Sequence, residues 1–275
     1  MNKTNIAWTD YTWNPITGCS PISEGCQNCY AAAINKRFHL PQKIQFHSER
    51  LEEPLKRKKP SMIFTGSMTD IFHEDVPDEW IGQISRITIA SRQHTFQILT
   101  KRIDRAHDFY GKWSRSGVYG FSDNVWLGVT IEHPDYLWRA KKLLQIPAAV
   151  RFVSLEPLLW ETRLAPEMYE ISDADEDSPP GMTLCACGRH WEFGYGISSY
   201  RNYLCGGIDW VIVGAETGPG RRPCKLEWVR SIINQCHAAG VPCFVKQIEI
   251  DGKISHDMNE WPEDLRVRQW PKVKQ

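Results

Sequence analysis

The sequence predicts an α/β fold built on a parallel sheet, and three observations predict it: apolar runs of strand length recur, intervals long enough for helices separate them, and the runs end alike on polar residues. The runs are Met62–Thr65, Phe96–Thr100, Val125–Thr130, Val150–Leu155, Trp210–Gly214 and Pro242–Lys246. Each is rich in β-branched and aromatic residues and bounded by polar or Gly/Pro punctuation. Helices are expected at Asp78–Ala90, Tyr136–Leu144 and Lys225–Ala238; the last carries Trp228, Val229, Ile232, Ile233 and Cys236 on one stripe. Strand alternating with helix implies right-handed crossovers between parallel neighbours.

The endings are Thr65-Gly66-Ser67 with Asp70 nearby, Thr100-Lys101-Arg102, Thr130-Ile131-Glu132, Ser154-Leu155-Glu156, Gly214-Ala215-Glu216 and Lys246-Gln247. Any one of them is explained by a strand meeting its loop. Together they would ring one mouth, because the C-terminal strand ends of a parallel barrel converge where ligands bind. Glu132, Glu156 and Glu216 are the most specific, since a carboxylate closing a buried strand needs a partner to offset its desolvation.

The chain has 275 residues, 41% hydrophobic and 24% charged, enough for one large core or two smaller ones. Lys plus Arg and Asp plus Glu number 33 each, so no global charge advertises a polyanionic partner. No apolar stretch has the length of a membrane span, and Met1–Asn5 leads into no signal-peptide pattern, so a cytoplasmic, non-membrane protein is expected. Nine cysteines in a reducing compartment argue for metal ligands where thiols cluster and for core residues where they scatter, as at Cys224, Cys236 and Cys243. No Ser-His-Asp nucleophile pattern, Walker loop or His-Glu-x-x-His motif is present.

Cysteines do cluster near the N-terminus. Cys19 is followed after six residues by Cys26 and after two more by Cys29, in a loop opened by Gly18. Three such thiols can hold three corners of an iron–sulfur cluster and leave the fourth iron for an external ligand. A structural zinc site is the alternative, with His39 or His47 within reach as a fourth ligand but without knuckle spacing.

Trp13-Asn14-Pro15, the Gly18–Ala31 loop, Thr65–Asp70, Gly128-Val129-Thr130, Ser154–Leu159, Asp209–Gly220 and Phe244–Gln247 together resemble the radical S-adenosylmethionine (SAM) enzymes, in particular a phage- and prophage-associated branch whose members are mostly uncharacterised. The Gly66–Asp70 segment is also similar to the spore photoproduct lyase type, which acts on DNA. The resemblance implies a parallel (β/α) barrel, partial or full, over residues 1–160 and 208–275, holding a four-iron, four-sulfur (4Fe-4S) cluster on Cys19, Cys26 and Cys29. SAM would chelate the open iron and be cleaved reductively, with an electron from an external donor, to start hydrogen abstraction. Gly66, Ser67 and Asp70 would meet its amino group; Thr100, Lys101, Thr130, Glu132, Ser154 and Glu156 would serve its other parts. Glu216, Arg221, Arg222, Lys246 and Gln247 would face the substrate, a nucleobase, nucleotide or DNA. Most members of the superfamily have three residues between the first two cysteines and an aromatic residue before the third. Here the gap is six and Asn28 takes the aromatic position, leaving Tyr30 as the substitute.

The barrel rhythm breaks between residues 161 and 207. Glu170–Pro180 is acidic and Pro-punctuated, and an aromatic stretch follows that carries Cys185, Cys187, His190 and Cys205. This reads as an inserted hairpin, with those four residues conceivable as a tetrahedral zinc set. Its aromatic residues would pack the hairpin or stack on bases. Two other functions compete with the radical enzyme: a zinc-stabilised nucleic-acid-binding module without catalysis, and a non-catalytic iron–sulfur protein.

Overall fold

The computed structural model describes residues 1–115, 122–164 and 207–272. Two short strands, β1 (Asn2–Lys3) and β2 (Tyr11–Trp13), lead into a small hairpin of β3 (Ile16–Thr17) and β4 (Gln45–Phe46), between which lie the cysteine loop and helix α1 (Tyr30–Arg37). After α2 (Glu53–Lys56) the repeating units follow: β5 (Met62–Thr65), α3 (Asp78–Ala90), β6 (Thr95–Thr100), α4 (Ile103–Arg115), β7 (Val125–Thr130), α5 (Trp138–Leu144) and β8 (Val150–Leu155). Beyond residue 207 come β9 (Trp210–Gly214), α6 (Leu226–Ala238), β10 (Cys243–Ile250) and β11 (Lys253–Ser255).

These strands form a nine-stranded sheet in the order β1-β2-β5-β6-β7-β8-β9-β10-β11. From β2 to β10 every pairing is parallel, and each successive strand is laid beside the last. That is the winding of a barrel, but the sheet does not close. The antiparallel strands β1 and β11 pair with the outer edges of β2 and β10, so the backbone groups that would have joined those edges to each other are already satisfied. The full barrel expected from the resemblance is therefore corrected to an open, mostly parallel α/β sheet, and the expected partial form is compatible with it.

Both faces of the sheet are covered, as parallel strands require. On β5, β7, β8, β9 and β10 the odd-numbered residues, among them Ile63, Leu127, Val129, Val153, Leu155, Val211, Val213 and Val245, join one buried cluster with Ile81 and Ile84 of α3, Leu143 of α5 and Val229 and Ile232 of α6. The even-numbered residues Phe64, Trp126, Val150, Phe152, Trp210, Ile212 and Phe244 form a second cluster, joined by Trp8 from the N-terminal segment. This is the period of two of a strand, with aliphatic residues facing the helices and mostly aromatic residues facing away. Trp8 packs 4.8 Å from Phe64, and its carbonyl accepts from Gln97 Nε2 at 3.0 Å. The N-terminal segment thus covers the face that the helices leave open.

The predicted insertion and its candidate ligands Cys185, Cys187, His190 and Cys205 lie outside the described residues. Among the described residues no helix is long and apolar enough to cross a membrane.

Trp210 is the centre of the aromatic cluster: its ring lies 5.8 Å from Trp126 and Phe152, 5.9 Å from Phe244 and stacks on Trp270 at 5.1 Å. Trp210→Ala should cost about 3–5 kcal/mol of stability in urea unfolding. A loss below about 1 kcal/mol would contradict its place at the centre of the packing.

Candidate active site

The polar strand endings gather at one end of the sheet, and the cysteine loop is laid across them. Gly18 opens the loop with φ +92°, a conformation that favours glycine. The residues from Cys19 to Cys29 include a single short turn, Glu24–Cys26, so the loop cannot hold itself by regular structure. Bonds from four strand ends hold it instead. At β5, Ser67 O accepts from Tyr30 Oη at 2.6 Å, and Thr69 Oγ1 donates to Gly18 O. At β6, Arg102 Nη2 donates to Ser20 O at 3.0 Å and Ser20 Oγ at 3.1 Å.

At β7, Ser23 Oγ donates to Glu132, a fully buried carboxylate that also pairs with Arg139 of α5 at 2.9 Å. Gly25 is needed beside it, because a Cβ there would stand 2.8 Å from Glu132 Oε1. At β9, Asn28 Nδ2 donates to Glu216 Oε2 at 2.9 Å, and Arg222 joins in from the following turn, with its backbone N 2.7 Å and Nε 3.0 Å from the same oxygen and Nη1 3.0 Å from Glu24 O.

Under the loop is a cavity of about 460 Å³, within the range of small-molecule sites. Its walls include Cys29 and Tyr30 from the loop, Trp8 and Phe64 from the aromatic face, and the strand-end residues Lys101, Thr130, Ser154, Glu156, Glu216 and Lys246. Thr130 and Ser154 are cross-strand partners, 3% and 1% exposed, and among the described residues no side chain or backbone group is hydrogen-bonded to their hydroxyls. Nearly buried hydroxyls open to a cavity and left unpaired are ready to bond a ligand. Among the described residues the Lys101 ammonium has no ion-pair partner. Glu156 is balanced by Lys246 Nζ and by Gln247 Nε2 at 2.9 Å.

A family model described as a protein of unknown function, DUF5131, matches residues 3–267. The chain belongs to that family. No curated protein and no solved structure matches it.

In this DUF5131 chain the predicted site residues divide into two groups. Tyr30, Lys101, Thr130, Ser154, Glu156, Glu216 and Lys246 line the cavity. Gly66, Ser67, Asp70, Thr100, Glu132, Arg221, Arg222 and Gln247 stand behind or beside it. Asp70 is fully occupied by Thr100 Oγ1 at 2.8 and 2.9 Å and Lys101 N at 2.9 Å. Arg221 donates to Gly252 O, and Gln247 Nε2 holds Ala215 O at 2.6 Å as well as Glu156. Sequence reading missed Asn28, Ser23 and Arg139, whose roles depend on long-range pairing that no local spacing shows.

Cys19, Cys26 and Cys29 are all half-buried and unpaired by disulfides. Burial pushes the Cys19 thiol up, against the backbone hydrogen bond from Asp70 and the nearby Arg102 charge, which pull it down. Among the described residues no group of three or more His, Cys, Asp and Glu is gathered as it stands around a metal position. A cluster, unlike a single zinc ion, takes one thiolate on each of three irons rather than several on one centre. Soft thiol donors on one loop, with Cys29 in the wall of a cavity also lined by Thr130 and Ser154, fit a cluster in their chemistry.

Glu216 gives the loop a pH dependence. Its burial, which alone raises a carboxyl, is outweighed by hydrogen bonds from Arg222 and Asn28, so its pKa lies below the usual carboxylate value. A depressed folded-state pKa contributes stability above the unfolded value of about 4.3 and loses it as pH falls through the lower folded value. Thermal melts between pH 7 and pH 3 should show this acid limb, and Glu216→Gln should lower the melting temperature at pH 7 while flattening the limb. An unchanged profile in the variant would remove Glu216 from the account.

Proposed function

We propose that this DUF5131 chain is a radical SAM enzyme whose substrate is a nucleobase, a nucleotide or a nucleic acid. The observation that carries the reading is the placement of the three-thiol loop, with Cys29 in the wall, over a cavity lined by the nearly buried Thr130 and Ser154 hydroxyls, which have no hydrogen-bond partner among the described residues. The resemblance stated from the sequence motifs supplies the chemistry; the geometry supports it by bringing those motifs to one mouth.

Cys19, Cys26 and Cys29 would each ligate one iron of a four-iron, four-sulfur cluster. Bound together, cluster and SAM would supply a one-electron reductive cleavage, with the electron from an external donor, and with it the abstraction of a substrate hydrogen atom. The chain's own residues then have separable tasks. Lys101 offers an ammonium to the carboxylate of SAM, and Thr130 and Ser154 offer hydroxyls to its polar groups. Glu156, held by Lys246 and Gln247, fixes one wall of the cavity. Phe64 and Trp8 close the apolar side and exclude water. The substrate class rests on the phage-type and lyase-like motifs and on the cationic groups in the cavity lining, Lys101 and Lys246.

Replacing Cys19, Cys26 or Cys29 singly with Ala should abolish both iron content after anaerobic reconstitution and 5′-deoxyadenosine formation, whereas Cys205→Ala should leave both intact. Retention of a full cluster in any of the three single variants would refute the ligand set. Ser154→Ala should weaken SAM binding about 2- to 10-fold in equilibrium dialysis, the worth of one hydrogen bond of roughly 0.5–1.5 kcal/mol. Unchanged binding would place SAM elsewhere.

A further inference from the structure

Arg102 is buried at the end of β6, and neither cavity nor core explains it. Its backbone N bonds Thr100 Oγ1 at 2.8 Å; its Nε donates to Glu74 Oε2 at 2.8 Å; its Nη1 is 3.6 Å from Asp70 Oδ2. The far side of the same guanidinium faces the cysteine loop, with Nη2 on both oxygens of Ser20 and Nη1 3.9 Å from Cys19 Sγ.

Ser20 adds to the same constraint. Its Oγ lies 2.7 Å from His73 Nε2, an arrangement that could be mistaken for a nucleophile and its base. His73 Nδ1, however, accepts from the backbone N–H of Asp75 at 3.1 Å, so in the neutral ring the proton is on Nε2 and His73 donates to Ser20. Ser20 Oγ therefore accepts from both His73 and Arg102 and, among the described residues, has only Glu74 Oε1, at 3.5 Å, to donate to. The residue after Cys19 is locked in place, and Arg102 Nη1 lies between Asp70 and the thiol.

We propose that Arg102 is a positioning residue for the cluster: through Ser20 it fixes Cys19 beside the end of β6, and its Nη1, within reach of the ligand sulfur, raises the cluster's reduction potential. The inference rests on the cluster-binding reading above. Hydrogen bonds to ligand sulfurs and the local charge are among the factors that set an iron–sulfur potential, because they stabilise the more negative, reduced cluster. Arg can do this while holding Ser20 and Glu74 because its planar fork spans several acceptors at once, which a lysine ammonium does not.

The test is a potentiometric titration with dithionite of the full-length protein, reconstituted anaerobically and followed by electron paramagnetic resonance. At a poise where the unaltered protein is half reduced, Arg102→Gln should lower the ratio of reduced to oxidised cluster about tenfold, equivalent to about 59 mV for one electron, and Arg102→Lys should recover part of the shift. Glu74 has an exposed side chain, so Glu74→Gln is a gentler second probe. It leaves the guanidinium less neutralised and should move the potential the opposite way, upward. Cluster-loaded Arg102→Gln and Glu74→Gln proteins with unshifted potentials would overturn the assignment while leaving the cluster itself standing. An unaltered protein that takes up no cluster would instead refute the underlying reading, and the assignment with it.

Discussion

The buried pair of Glu132 and Arg139 is the constraint on which the candidate site depends. A carboxylate with no exposure at the end of a central strand would be costly alone. Here it is offset by a guanidinium at 2.9 Å from α5, which also bonds Thr130 O at 2.8 Å, and by the Ser23 hydroxyl from the cysteine loop. Removing one partner of such a pair leaves an uncompensated buried charge, so strand end, helix and loop must assemble together. The six residues between Cys19 and Cys26 are not slack. Ser20, Ser23 and Glu24 carry contacts to β6, β7 and the turn after β9, and Gly25 gives the close approach that the Glu132 contact needs.

The two faces of the sheet divide the remaining work. Aliphatic residues bind the helices, and the mostly aromatic opposite face, covered by the N-terminal segment, forms a firm floor below the cavity. Because the strands are parallel and laid in chain order, their C-terminal ends are adjacent, and residues far apart in sequence, such as Lys101, Thr130, Ser154 and Glu216, share one wall. The protein-occupied groups Asp70, Glu132 and Glu216 hold the frame, while Lys101, Thr130 and Ser154 line the cavity without a side-chain partner among the described residues.

The repeating part of the fold was legible because buried parallel strands are short apolar runs and their helices carry clear stripes. Four of the six runs, Met62–Thr65, Val125–Thr130, Val150–Leu155 and Trp210–Gly214, coincide with strands, and α3 spans Asp78–Ala90 as its pattern indicates. Strand β2 was not legible, since three residues, Tyr11–Trp13, are too few to show a period. The open edges were not legible either: closure depends on what pairs with β2 and β10, and β1 and β11 are two and three residues long. At the site, the polar endings and the cysteines could be seen, but whether a polar residue faces the ligand or braces the loop was decided by partners such as Asn28 and Arg139, contributed by other elements.

The central claim is that the Cys19–Cys29 loop holds a cluster with one iron open to SAM. It is tested most directly by electron paramagnetic resonance of the reconstituted, reduced protein recorded with and without SAM. The account predicts a four-iron signal that changes shape when SAM is added. A signal indifferent to SAM, or a protein that retains only zinc on these thiols, would contradict it.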